Sequence, residues 1–215
     1  MEYTKKLEKV RPKRREAEDV KRCNIVDMAL GFSAMMRLFE EGSKEIIQEK
    51  ILELLPVFFT AQSEEEFKQL HDGFCRWGIK EIMRTKREKG RVVVKDSGPA
   101  SYGQIGKTLD VVLHVVIYYA QYPTVEKAKT ISKWLNAAMD TKMMAFLAGC
   151  YPDAIDKWPK SVEQVGGKEY RVIQDYVRRF IQEEHGSRIM PVQFDDIYWE
   201  VLNRGSKNSK QVNHT

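Results

Sequence analysis

The chain has 215 residues, 42% of them hydrophobic and 31% charged, and carries a formal net charge of +5 at pH 7. That length suits one domain with a real core, and the composition excludes global disorder. The three cysteines, Cys23, Cys75 and Cys150, are far apart and odd in number, which argues against a disulfide scaffold or a cysteine zinc site; they read as buried free thiols.

Residues 1–22 are rich in Lys and Arg, with Arg14 and Arg15 at the centre, and poor in apolar residues. They read as a basic arm, flexible and either disordered or loosely helical. Met1–Lys6 has no apolar stretch, and the run from Val111 to Ala120 is interrupted by His114 and too short to span a bilayer. The expectation is a cytoplasmic protein without a membrane partner. Ile25, Met28, Ala29, Phe32, Met35, Met36 and Phe39 form a helical stripe over 25–41. A second helix runs through Ile46, Ile51 and Leu55, with Pro56 interrupting or ending it.

Ser63-Glu64-Glu65-Glu66 has the form of a capping box and opens a helix to about Arg84. Arg91–Lys95 has the β-branched run of a short strand, or at most a hairpin, with no evident partner. Ser101-Tyr102-Gly103-Gln104 is a second capping box. The helix behind it, to Tyr122, is apolar on most sides, as befits the centre of a bundle. Thr124 and Asp140 are the caps expected for helices over 125–139 and 141–148, and further helices are expected over 168–184 and 194–202. The fold expected is therefore all-α: an irregular multi-helix bundle, one domain over 23–204, with a polar tail over 205–215.

Gly106-Lys107-Thr108 ends like a phosphate-binding loop of GxxxxGK[ST] form. Ser101 stands where the first glycine is required, and the capping box puts Gly106 inside a helix. Close helix packing explains Gly103 and Gly106 better. His71, His114, His185 and His214 show no i, i+4 zinc pairing, and His114 reads as a hydrogen-bonded core residue. Asp195 and Asp196 read as acids in the first turn of a helix. No cofactor or metal is implied, and no catalytic residue is assigned.

Arg178 and Arg179 ahead of His185 resemble the Arg-x4–6-His pattern of HEPN-type RNases, in which such a pair serves general acid–base chemistry at a 2′-OH. The usual polar residue after the Arg is replaced by Phe180. Thr141–Leu147, Tyr151-Pro152 and Asp156 are similar to helix-hairpin-helix DNA glycosylases, and that resemblance implies Asp156 as the catalytic acid. The glycine-containing hairpin turn of that family is absent.

Basic residues concentrate over 80–95: Lys80, Arg84, Lys86, Arg87, Lys89, Arg91 and Lys95 against Glu81 and Glu88. Such clusters neutralise phosphates and release counterions. With Arg14 and Arg15 they are the candidate nucleic-acid contacts. The function expected is a non-catalytic module that binds DNA or RNA. The alternatives are a nucleic-acid-processing enzyme, with His114, His185, Arg179 and acids in one cleft, or a subunit of a larger assembly that exposes Trp77, Trp158 or Trp199 to a protein partner.

Overall fold

Ser101 and Gln104 begin the helix around which the other elements are arranged. The Ser101 hydroxyl accepts from the Gln104 N–H at 3.2 Å, and the Gln104 carboxamide accepts from the Ser101 N–H at 2.9 Å. In the computed structural model, which describes residues 14–88, 91–94, 97–198 and 201–202, this box opens a helix over Tyr102–Leu113. Ten of its twelve residues are buried, so it has no solvent face. Its continuation, His114–Tyr119, is a π-helical turn in which the Ala120 N–H reaches back to the Val115 carbonyl.

We label the elements in chain order: α1 (Arg14–Phe32), α2 (Ser43–Thr60), α3 (Glu64–Glu81), β1 (Lys86–Glu88), β2 (Arg91–Val94), α4 (Tyr102–Leu113), α5 (Val125–Ser132), α6 (Thr141–Cys150) and α7 (Gly167–His185). α1, α3 and α7 surround α4. The architecture is all-α with one small hairpin, as the sequence indicates. Among the described residues no helix is long and apolar enough to cross a membrane.

Glycines let the neighbours close in on α4. A Cβ on Gly106 would lie 2.7 Å from the Tyr170 ring, and one on Gly103 would lie 2.6 Å from the Val162 carbonyl oxygen. On α3, Gly78 presses on Ile105 in the same way.

Several boundaries differ from the sequence reading. α1 begins at Arg14, so residues 14–22, read as part of a flexible arm, belong to a helix; residues 1–13 lie outside the described residues. α1 ends at Phe32, and a separate 3-10 turn over Ala34–Arg37 follows. The break re-aims the chain so that Met35 and Phe39 reach the core while Phe32 stays 68% exposed. α2 runs through Pro56 because Leu55 and Phe58, on either side of it, are both buried in the core. That packing outweighs the one backbone hydrogen bond a proline removes.

α5 stops at Ser132 rather than Met139. Leu135, Ala137 and Met139 then alternate inward with period two, as extended chain does. The Gln174 side chain of α7 supplies the pairing that this extended stretch needs, accepting from the Ala137 N–H and donating to the Ala137 carbonyl. Asp140 caps α6 through the Lys142 and Met143 N–H groups. Of the three cysteines only Cys75 is buried; Cys23 is intermediate and Cys150 exposed.

The 91–95 strand does have a partner. It is the charged segment Lys86–Glu88, paired antiparallel with Lys86 opposite Val94, Arg87 opposite Val92 and Glu88 opposite Arg91. Periodicity could not reveal it, because three charged residues carry no apolar alternation. The ladder continues beneath the hairpin. The Ser97 N–H donates to the Arg84 carbonyl, Arg84 N–H to Gly98, and Ala100 N–H to Ile82, while Thr85 N–H reaches Leu38. The ribbon thus grows from the junction of α3 and α4.

Gly103→Ala is expected to destabilise the fold by about 1–3 kcal/mol, because the new methyl meets backbone that cannot rotate away. Gly73→Ala, in α3 with nothing within 4 Å of the added methyl, is expected to stabilise it by about 0.5–1 kcal/mol. Urea denaturation of the two variants checks both signs.

Candidate functional site

α4 carries one acid within its buried length, Asp110, 2% exposed. A carboxylate there needs partners from the surrounding helices. α3 supplies His71, whose Nε2 lies 2.9 Å from Asp110 Oδ1. α7 supplies Tyr170, whose hydroxyl donates to Asp110 Oδ2 at 2.5 Å. The chain between α5 and α6 supplies Asn136, whose Nδ2 lies 3.1 Å from the Tyr170 hydroxyl. Arg178 donates through Nη2 to Asn136 Oδ1 at 2.9 Å and so carries the network outward. Four segments remote in sequence meet at one acid.

His71 is buried, and its other ring nitrogen lies 3.7 Å from the Cys75 sulfur, one helical turn along. Burial opposes a charged imidazole, but Cys75 and the Asp110 carboxylate outweigh it and push His71 up to about 10. Asp110 Oδ1, 2.9 Å from Nε2, is the counter-ion placed to favour the charged imidazole. Burial and Asp110 also raise the Tyr170 hydroxyl well above its usual value, so it stays protonated and donates.

A cavity of about 160 Å³ opens over this network. Phe67, His71, Tyr102 and Tyr170 provide ring surfaces; Lys68, Arg171 and Arg178 provide cations, and Asp72 and Asp175 provide acids. His71 stacks on Tyr170 with ring centres 5.4 Å apart, and Tyr102 tilts against Tyr170 at 5.3 Å. The Tyr102 hydroxyl is held by Asp72, which also meets Arg171 and Arg76. Among the described residues no cluster of His, Cys, Asp or Glu has the makings of a metal site.

The basic residues singled out from the sequence are placed differently. Lys80 is exposed near the end of α3. Lys86, Arg87 and Arg91 fall on β1 and β2, while Lys89 and Lys95 lie outside the described residues. Arg14 and Arg15 form the start of α1. Arg84 stands apart, because its guanidinium is engaged by Glu163 and by the Ser97 carbonyl at 3.1 Å. It clamps the base of the hairpin to the 161–165 segment.

The acid–base candidates do not converge. Arg179 pairs with Glu183 and lies over the Tyr151 ring. His185 meets the Tyr198 hydroxyl, and Arg178 faces Asn136. The HEPN-like pattern therefore forms no common site. Asp156 is absent from the cavity lining. His114 is buried, as expected of a core residue, but its Nε2 has no hydrogen-bond partner among the described residues, and the nearest carboxylate oxygen there, on Asp196, is 3.9 Å away. Burial lowers its pKa against the pull of Asp196 and Asp110. Asp195 serves the tertiary structure, accepting from the Ala138 N–H at 3.0 Å, and burial raises it to about 7. Trp77 and Trp158 are partly buried against the core, and Trp199 lies outside the described residues.

Comparison with protein-family models, with curated proteins and with solved structures finds no match for this chain.

The two shifted groups give opposite tests. His71 has a folded pKa above its unfolded value of about 6.5, so its stabilisation is complete below about pH 6.5 and is lost as the pH rises toward about 10. Chemical denaturation across that range should show a fall that His71→Gln flattens, with the variant less stable at pH 6. Asp195 is a carboxyl held above its unfolded value, so its ionisation works against folding as the pH rises toward about 7. Asp195→Asn keeps the acceptor for Ala138 and cannot ionise. It is expected to gain thermal stability over the parent at pH 8 and to lose that advantage at pH 4.

Proposed function

We propose that this protein binds nucleic acid, with the β1–β2 ribbon as its principal contact surface. The observation that carries the reading is the antiparallel pairing that gathers Lys86, Arg87 and Arg91 onto one two-stranded ribbon. The pairing brings Arg87 and Arg91, four apart in sequence, to adjacent rungs. Backbone hydrogen bonds at its base tie the ribbon to the junction of α3 and α4. A two-stranded ribbon is narrow enough to enter a nucleic-acid groove, and Lys and Arg on it exchange counterions for phosphates. Lys80, exposed on the helix that leads into the ribbon, extends the basic surface. The formal charge of +5 favours encounter with any polyanion.

Arg84 is not part of this surface. Its pairing with Glu163 and Ser97 gives it the separate task of fixing the ribbon's base.

Replacing Lys86, Arg87, Lys89 and Arg91 together by Gln should weaken binding to duplex and single-stranded probes alike. It should also lower the slope of log affinity against log salt by about one for each phosphate that is no longer neutralised. Fluorescence anisotropy over a salt series measures both. Undiminished binding with an unchanged slope would sink the assignment to the ribbon.

A further inference from the structure

The cavity over the His71–Asp110 pair is separate from the ribbon and plays no part in the reading above. Its interior and its rim differ in character. Inside, the Tyr102, Tyr170 and Phe67 rings and the His71 ring enclose a narrow space. At the rim, Lys68 of α3 and Arg171 of α7 remain 43% and 60% exposed. Among the described residues each is tied by one partly exposed carboxylate, Glu64 and Asp72 respectively, and such ion pairs are weak enough to be exchanged for a ligand anion.

The floor is held in place. The imidazole, phenol and carboxamide groups of His71, Tyr170 and Asn136 are bonded to one another or to Asp110, so the ring faces are fixed before a ligand arrives and little ordering remains to be paid on binding. At about 160 Å³ the space suits one planar ring, whereas drug-sized ligands occupy pockets of about 300 Å³ and upward. Aromatic faces receive flat heterocycles by stacking, and a cation over the mouth receives an anion attached to the ring.

We propose that this cavity is a binding site for a single nucleotide unit, with its base in the space lined by the Phe67, His71, Tyr102 and Tyr170 rings and its phosphate on Lys68 and Arg171. The proposal deepens the nucleic-acid reading and rests on it for the choice of heterocycle. The shared chemistry has two sources: a free mononucleotide, or one unstacked base of a bound strand. Asp175, exposed and part of the cavity lining, disfavours ligands with more than one phosphate.

The test uses the full chain and calorimetric titration with the four ribonucleoside 5′-monophosphates, followed by anisotropy with short single-stranded oligonucleotides with and without one abasic position. The variants are Tyr102→Ala, which removes a wall, and Arg171→Glu, which reverses the rim charge at an exposed position. The four-fold Gln ribbon variant serves as the comparison.

The expected result is mononucleotide binding that falls at least tenfold in Tyr102→Ala and Arg171→Glu and is unchanged in the ribbon variant. If the source is a strand, the same two variants weaken oligonucleotide binding, and an abasic position at the engaged nucleotide does so as well. If oligonucleotides bind through the ribbon while no monophosphate binds at millimolar concentration, and neither cavity variant alters oligonucleotide binding, the cavity proposal is overturned and the ribbon reading survives. If monophosphates bind in the cavity but no oligonucleotide binds, the cavity proposal stands and the ribbon reading is overturned. A loss in Tyr102→Ala alone, accompanied by a lowered melting temperature and with Arg171→Glu unchanged, also counts against the cavity.

Discussion

The ion pair between His71 and Asp110 is the constraint on which the rest of the structure depends. A carboxylate in the middle of a helix with no solvent face is costly unless it is fully paired. Here the pairing is complete only when α3, α4, α7 and the 134–139 segment are all in place. Removing one partner of such a pair typically costs about 3–5 kcal/mol, because a buried charge is left alone. A purely apolar contact at the same place would permit sliding between helices; hydrogen bonds from His71 and Tyr170 to opposite oxygens of one carboxylate fix their register.

Close backbone approach makes that geometry reachable. Gly78 and Gly106 bring α3 and α7 near enough to α4 for short polar side chains to meet. The tyrosine that sits over Gly106 is Tyr170 itself, so the small residue and the hydrogen bond to Asp110 are parts of one contact. The cavity is a consequence of the same packing. Rings held in place by the polar floor cannot collapse into the space above them, and Arg178 joins the floor to the outer surface.

The hairpin depends on a second, simpler device. Arg84 and Glu163 tie its base to the segment that packs against Gly103. The backbone ladder through Ser97, Gly98 and Ala100 then passes directly into the cap of α4. The basic ribbon and the polar cavity are thereby attached to one helix at different points along its length, the ribbon before its first turn and the Asp110 cluster near its last. Charge is distributed accordingly. In the sequence from Lys86 to Arg91 the cations have Glu88 as their one acid, whereas those near the cavity share Asp72, Glu64 and Asp110 as partners.

The sequence by itself determined the all-α class, the central helix, and the caps at Ser63, Ser101, Thr124 and Asp140, because capping and helical periodicity are local properties read within a few residues. It also located the basic segment, since charge density needs no fold. Only the tertiary structure decided the rest. The partner of the 91–94 strand is a charged triplet without periodicity. The end of α5 is set by the Gln174 amide waiting on α7, and Pro56 stays helical because core side chains flank it. The Asp110 site was the least legible: its members span residues 71 to 170, and each alone looks ordinary. One local signal was present, a single acid in a helix that is apolar on most sides. Its meaning depended on which side chains the packing would bring to it, and that is a property of the assembled helices rather than of any one of them.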